Sequence, residues 1–241
     1  MSVSPLVAQA SHSSFPCVET RSVESASAEA LVAQFWRVRS HTESLADPLG
    51  EEDRVVQSMP DASPANWHLA HTTWFWETFL LKEHLPGYEV FDVQFAYLFN
   101  SYYEALGPRQ PRRHRGLLTR PTGRQIAAYR HYVDGFMDQL LAAGVPADLV
   151  PLIELGIAHE EQHQELLLMD VLHLFAQSPL KPAYRSNWPA ETSGRTGQFR
   201  FHAGGLLDIG DDASRFAFDN ERPRHRVWVE PFEISDRLVT N

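Results

Sequence analysis

From Ala147 to Gln177 the chain reads ADLVPLIELGIAHEEQHQELLLMDVLHLFAQ. Gly144 and Pro146 precede it, Pro179 follows it, and its apolar residues recur at helical spacing, which predicts one long helix over about 147–177. At 100° per residue, His159 and His163 stand about 40° apart, one turn from each other, so both imidazoles can reach one ion. They belong to the stripe Leu152, Leu155, His159, His163, Leu166, which is expected to face the core. Glu165 points about 200° away from His163, whereas Asp170 lies only about 20° off the histidine stripe. Asp170 is therefore the better candidate for a residue that orients a ligand imidazole.

Three further helices are expected upstream. Ser27 to about Asp47 carries Leu31, Phe35, Val38 and Leu45 at helical spacing. Ser63-Pro64 reads as a cap followed by proline in the first turn, opening a helix through Trp67, His71, Trp74, Phe75 and Leu81 to about His84, where Pro86-Gly87 stops it. Thr122-x-x-Gln125 is a capping-box pattern that starts a helix to about Ala143. Between them we expect a short helix around Phe99–Leu106 and an irregular Pro- and Arg-rich stretch over 107–121. Four amphipathic helices with irregular connectors predict a four-helix bundle over 27–177. Residues 1–26 read as a disordered tail and 178–197 as a linker rich in Pro and Gly. Beyond it the period changes to two, with short strands expected at Gln198–Ala203, Leu206–Ile209 and His225–Val229. At about 44 residues, 198–241 is short for a core of its own. The expected class is mainly α, followed by an incomplete α+β segment.

Composition narrows the function. The 241 residues hold 43% hydrophobic and 22% charged side chains, an ordinary globular mixture. No apolar stretch approaches the ~20 residues of a membrane-spanning helix, so no membrane partner is expected. The opening lacks the basic start and apolar core of a signal peptide, which makes the cytoplasm the expected location. Lys+Arg 21 against Asp+Glu 31 gives a net charge of −10, which argues against nucleic acid as a partner. Twelve histidines beside a single cysteine point to a metal that accepts imidazole.

A second histidine pair, His68 and His71, lies in Trp67-His68-Leu69-Ala70-His71. Facing helices pack ~8–10 Å apart, so either residue could complete a three-histidine site with His159 and His163. The plain alternative is a set of core-edge histidines, each with a hydrogen-bond partner. Burying several of them unpartnered costs several kcal/mol, which favours the metal. Three histidines leave coordination positions open, as catalytic sites do, and the spacing alone does not separate iron from zinc. Seven arginines, Arg109, Arg112, Arg113, Arg115, Arg120, Arg124 and Arg130, fall in a stretch without Asp or Glu. Such an island suits carboxylates. Its alternative is a solvated basic loop. Trp74, Phe75, Trp76 and Phe79 read as core, with a wall of a substrate pocket as the alternative.

Trp67-His68-Leu69-Ala70-His71-Thr72 followed by His159-x-x-x-His163-x-Glu165 resembles the DinB-like iron-binding domain of the ergothioneine biosynthesis sulfoxide synthases. Gly204-Gly205-x-x-x-Ile209-Gly210, Phe216-Ala217-Phe218-Asp219-Asn220-Glu221-Arg222-Pro223 and His225-Arg226-Val227 resemble the start of a formylglycine-generating-enzyme-like domain. The resemblance implies an Fe(2+)- and O2-dependent enzyme that joins a thiol, cysteine or γ-glutamylcysteine, to the imidazole of hercynine and forms the sulfoxide. It assigns the iron ligands to His71, His159 and His163 and gives His68 no ligand role. It also implies arginines for the thiol's carboxylates, for which Arg112 and Arg115 are the best matches. The second domain of that family is much longer than 198–241, so the chain is expected to stop inside it, without the catalytic tyrosine. A zinc-dependent DinB-like thiol transferase or hydrolase and a non-catalytic metal-binding fragment are the competing expectations.

Overall fold

The computed structural model describes residues 20–101, 107–186, 197–212 and 216–239, with 20–27 described by their helical backbone alone. The tail expected over 1–26 falls mostly outside these residues, and helix α1 (Thr20–Ala46) already begins at Thr20. Helix α2 (Ala65–Trp76) continues through a π-helical turn (Glu77–Leu81) into α3 (Lys82–His84), so the chain stays helical up to the turn at Pro86-Gly87. The short helix α4 (Phe95–Phe99) lies earlier than the expected Phe99–Leu106, of which residues 102–106 are outside the described set. A 3-10 segment (Arg112–Leu117) interrupts the stretch expected to be irregular. Helices α5 (Gly123–Ala142) and α6 (Val150–Gln177) complete the helical part.

Local chemistry accounts for the start of α5. Thr122 Oγ1 accepts the Gln125 N–H at 3.3 Å while Gln125 Oε1 accepts the Thr122 N–H at 2.9 Å, so two otherwise orphaned donors of α5 are satisfied. The start of α2 differs from expectation. Pro64 occupies the cap position and no side chain caps the helix. Ser63 is engaged elsewhere, its hydroxyl accepting from Arg115 and its N–H donating to Asp170.

Every residue of α2 is buried. It is the central element, packed on α1, α4, α5 and α6. Its polar residues, among them His68, His71, Thr72 and Thr73, are buried with hydrogen-bond partners, as burial of polar groups requires. Phe35, Trp74, Trp76, Tyr129, Met137, Ile153 and Ile157 meet in the main core, and Leu45, Leu49, Leu167 and Val171 form a smaller cluster. Each such side chain contributes roughly 1.5–3 kcal/mol of burial. Gly156 on α6 lets Trp76 approach: a Cβ there would lie 2.4 Å from the indole.

The buried residues of α6 are Ile153, Gly156, Ile157, Glu160, Gln164, Leu167, Asp170 and Val171. The expected stripe is therefore displaced: Leu155 is 37% exposed, and His159 and His163 are half-buried on the flank. The centre of the interface is occupied by Glu160, fully buried between Arg39 and Arg130.

Four strands follow. β1 (Phe199–His202) pairs antiparallel with β4 (Phe232–Ser235), and β2 (Gly205–Ile209) with β3 (His225–Val229). β4 was not expected from the sequence. No strand residue is buried, and Phe199, Phe201, Leu206, Trp228 and Ile234 stand mostly in solvent. Among the described residues no helix is long and apolar enough to cross a membrane.

Candidate metal centre

His71 comes from the buried helix α2, and His159 and His163 come from successive turns of α6. One ring nitrogen of each lies within 4.8 Å of the others. The His71 and His159 Nε2 atoms face each other at 3.1 Å. Ring centroids are 4.6 Å apart for His71 and His163, 4.7 Å for His159 and His163, and 5.0 Å for His71 and His159. Trp67 stacks on His71 at 4.5 Å, and Phe75 lies 4.7 Å from His159, so aromatic neighbours restrict two of the rings. The run Trp74, Phe75 and Trp76 is core, as its plainer reading has it.

The hydrogen-bond partners fix which atoms are free. The Phe99 carbonyl can only accept, so His71 donates from Nδ1 at 2.5 Å and keeps a lone pair on Nε2. His68, by contrast, has both nitrogens engaged, Nε2 with Asp170 at 3.0 Å and Nδ1 with His163 at 2.9 Å. Of the two histidines on α2, His71 therefore turns a nitrogen, Nε2, toward another of the three clustered imidazoles, that of His159, whereas both nitrogens of His68 are taken by Asp170 and His163.

Burial lowers the pKa of His159 to about 4 and those of His71 and His163 well below the usual imidazole value, the latter two further depressed by neighbouring imidazoles. Burial also lowers that of His68, with Arg115 and Arg112 adding to the effect against Asp170. The cluster is thus neutral at pH 7, the state in which imidazole binds a metal. The donor set fits such an ion. His159 Nδ1 is buried with no hydrogen-bond partner among the described residues. Metal–nitrogen bonds of ~2.1 Å at roughly right angles place adjacent ligand nitrogens about 3 Å apart, close to the His71–His159 spacing.

The three histidines line a cavity of about 410 Å³, whose wall also carries Gln162, Arg112 and Arg115. Both arginines singled out in the basic island therefore reach the histidine cavity. Arg115 donates to Ser63 Oγ at 2.9 Å and Ser101 Oγ at 3.1 Å, and its guanidinium lies 3.4 Å from the Trp67 ring centroid. Gln57 holds the segment in place, donating to the Arg112 carbonyl and accepting the Gly116 N–H, both at 2.8 Å. Arg130, another member of the island, is buried on Glu160 at 2.7 Å.

Sequence reasoning overlooked Glu160, whose carboxylate also accepts from Thr42 and Trp76, and Arg39, its partner on α1. It gave Gln162 no role. Its place in the cavity wall follows from its spacing three residues after His159, which puts it on the same face, a signal that could have been read.

No protein-family model matches the chain. Two characterised proteins do. The chain is 31% identical over 218 residues to hercynine oxygenase of Mycobacterium tuberculosis, covering 89% of this chain and 49% of that protein. It is 30% identical over 221 residues to hercynine oxygenase of Mycolicibacterium thermoresistibile, covering 88% of this chain and 46% of that protein. The chain thus spans about half the length of the relatives it matches. Identity at this level along nearly nine-tenths of the chain, in a protein with three converging imidazoles, supports its membership of the hercynine oxygenase family.

Proposed function

We propose that this chain carries the metal-binding half of an enzyme that joins hercynine to a thiol, cysteine or γ-glutamylcysteine, with O2, giving a sulfoxide. On this reading residues 27–177 are a DinB-like four-helix bundle, and 198–241 open a formylglycine-generating-enzyme-like domain. His71, His159 and His163 hold iron(II). The observation that carries the proposal is the convergence of their three ring nitrogens at the wall of a cavity that also holds two arginines.

Iron(II) supplies the redox chemistry between thiol, imidazole and O2. The protein's own residues prepare the site. Three neutral imidazoles would leave a bound ion's divalent charge uncompensated, which would favour the thiolate form of a thiol held there. Arg112 and Arg115 stand where a thiol substrate's carboxylates can be gripped bidentately. Ser63, Ser101 and Trp67 already hold the Arg115 guanidinium in place, so little ordering is left for binding. Fixing sulfur beside the ring carbon supplies effective molarity.

The test is anaerobic iron(II) titration of the chain and of His71→Ala, His159→Ala and His163→Ala. About one iron per chain is expected, with binding strongly reduced in each variant. Retention of wild-type affinity by any of the three removes that residue from the ligand set. Supplying iron(II), both substrates and air, then measuring the sulfoxide by mass, tests turnover separately.

A further inference from the structure

Metal-ligating histidines usually donate their second nitrogen to a carboxylate or a carbonyl. His71 follows that rule through the Phe99 carbonyl. His163 does not: its Nδ1 meets another imidazole, His68 Nδ1, at 2.9 Å. The other nitrogen of His68 meets Asp170 Oδ2 at 3.0 Å, and the same oxygen accepts the Ser63 N–H at 2.9 Å. His68 and Asp170 are 2% and 7% exposed, so water is a poor substitute for either partner.

The direction of each bond follows from what the atoms can do. An ionised carboxylate only accepts, so the proton between Asp170 and His68 belongs to His68 Nε2. Neutral His68 then offers a lone pair at Nδ1. Two lone pairs cannot face each other at that distance, so His163 donates from its own Nδ1. By elimination His163 keeps its lone pair on Nε2. The opposite tautomer of His163 would set two lone pairs against each other and turn an N–H toward the metal.

We propose that His68 is a positioning residue: it couples Asp170 to His163 through two imidazoles in series, so that the carboxylate fixes which nitrogen of His163 faces the metal. The inference rests on the three-histidine metal reading and deepens it. The relay also ties α2, which carries His68, to α6, which carries His163 and Asp170, so the arrangement that selects the tautomer also fixes the distance between ligand-bearing helices. Among the described residues His159 has no comparable partner on its Nδ1. The relay therefore gives His163 an orientation that His159 lacks.

The first test needs no substitution. In 15N-histidine-labelled, metal-free protein at neutral pH, His163 should show a protonated Nδ1 and an unprotonated Nε2. The reverse tautomer overturns the proposal. The second test is titration with cobalt(II) alone. His68→Leu should weaken cobalt binding about 10–100-fold, as loss of such a partner commonly does, and should leave His163 as a mixture of tautomers. His68→Gln, which carries an acceptor oxygen and a donor nitrogen on one side chain, should recover most of the affinity. Asp170→Leu should weaken binding in the wild-type background and add little to His68→Leu. Cobalt affinity within twofold of wild type in His68→Leu, with the His163 spectrum unchanged, would overturn the relay. If instead His71→Ala, His159→Ala and His163→Ala all bind cobalt as wild type does, the metal reading has failed, and the wild-type His163 tautomer still decides whether the relay exists.

Discussion

Replacing Glu160 by glutamine should destabilise the chain more than any other single isosteric change on α6. The carboxylate is fully buried. It accepts from Arg39 at 3.0 and 3.3 Å, from Arg130 at 2.7 Å, from Thr42 at 2.8 Å and from Trp76 at 2.9 Å. Glutamine has nearly the same shape, but it removes the charge and turns an NH2 toward groups that also donate. Breaking a buried ion pair by altering one partner costs about 3–5 kcal/mol. Arg39 keeps Asp134 at 2.7 Å, which puts the expected loss near the lower end, about 3 kcal/mol. For a chain of this size that is roughly 6–12 °C in Tm. Urea unfolding followed by tryptophan fluorescence reads it directly, with the midpoint lowered and the slope unchanged. The acid limb gives a second reading. Burial alone would raise the Glu160 pKa, yet Arg39 and Arg130 hold the carboxyl well below its usual range. Its contribution is therefore complete above the unfolded value of about 4.3 and is lost as pH falls below it, by about 1.4 kcal/mol per pH unit. The gap between wild type and Glu160→Gln should narrow accordingly between pH 4 and pH 3. A loss under 1 kcal/mol at pH 7, or a gap at pH 3 as large as at pH 7, refutes the argument.

Gly156→Ala places a methyl 2.4 Å from Trp76 and 2.9 Å from Phe75, and should cost about 1–3 kcal/mol in the same unfolding assay; a neutral result would mean the helices separate freely there. Arg115→Ala should lower stability by about 2 kcal/mol, because it removes two buried hydrogen bonds and a guanidinium stacked on Trp67. Arg112→Ala, assayed in a full-length enzyme, should raise KM for the thiol by the equivalent of roughly 1.5–3 kcal/mol and leave hercynine affinity nearly unchanged; unaltered thiol kinetics would return Arg112 to the status of a surface residue. Because burial lowers the pKa of His159 to about 4 and holds those of His71 and His163 well below the usual imidazole value, cobalt(II) affinity should be nearly flat from pH 7.5 to pH 5. A more than tenfold fall by pH 5.5 would indicate imidazoles titrating near their ordinary value of about 6.5.

The features legible in the sequence were those set by neighbours along the chain. The Thr122–Gln125 box, the His159–His163 turn and the strand at His225–Val229 depend on residues a few positions apart, and each is present where the spacing puts it. Long-range electrostatics left no such trace. Glu160 sits one residue after a candidate ligand in a polar run and reads as a solvated side chain, because its partners Arg39 and Arg130 lie on other helices. The same blindness shifted the expected core stripe of α6 by one residue, from His159 to Glu160. His68 and His71 were likewise indistinguishable by spacing. Only their tertiary partners, Asp170 and His163 on one side and the Phe99 carbonyl on the other, separate the residue that presents a nitrogen from the one that orients another ring.

Glu160 and His159 divide the work of α6 between adjacent faces. Consecutive helical residues point about 100° apart, so the carboxylate can enter the core while the imidazole beside it faces the cavity. On the metal reading, an open site needs lone pairs kept for the ion, so the three ligand imidazoles are poorly suited to hold α2 and α6 together by themselves. The Glu160 cluster lies one face away and joins α6 to α1, α2 and α5 through Arg39, Thr42, Trp76 and Arg130. It can hold the helices together without using a nitrogen of His71, His159 or His163. Disrupting it should therefore lower stability first and metal affinity only through loss of the fold. Substituting His68 should do the reverse, because the relay acts on the orientation of a single ring. The two substitutions separate what keeps α6 in position from what aims its ligands.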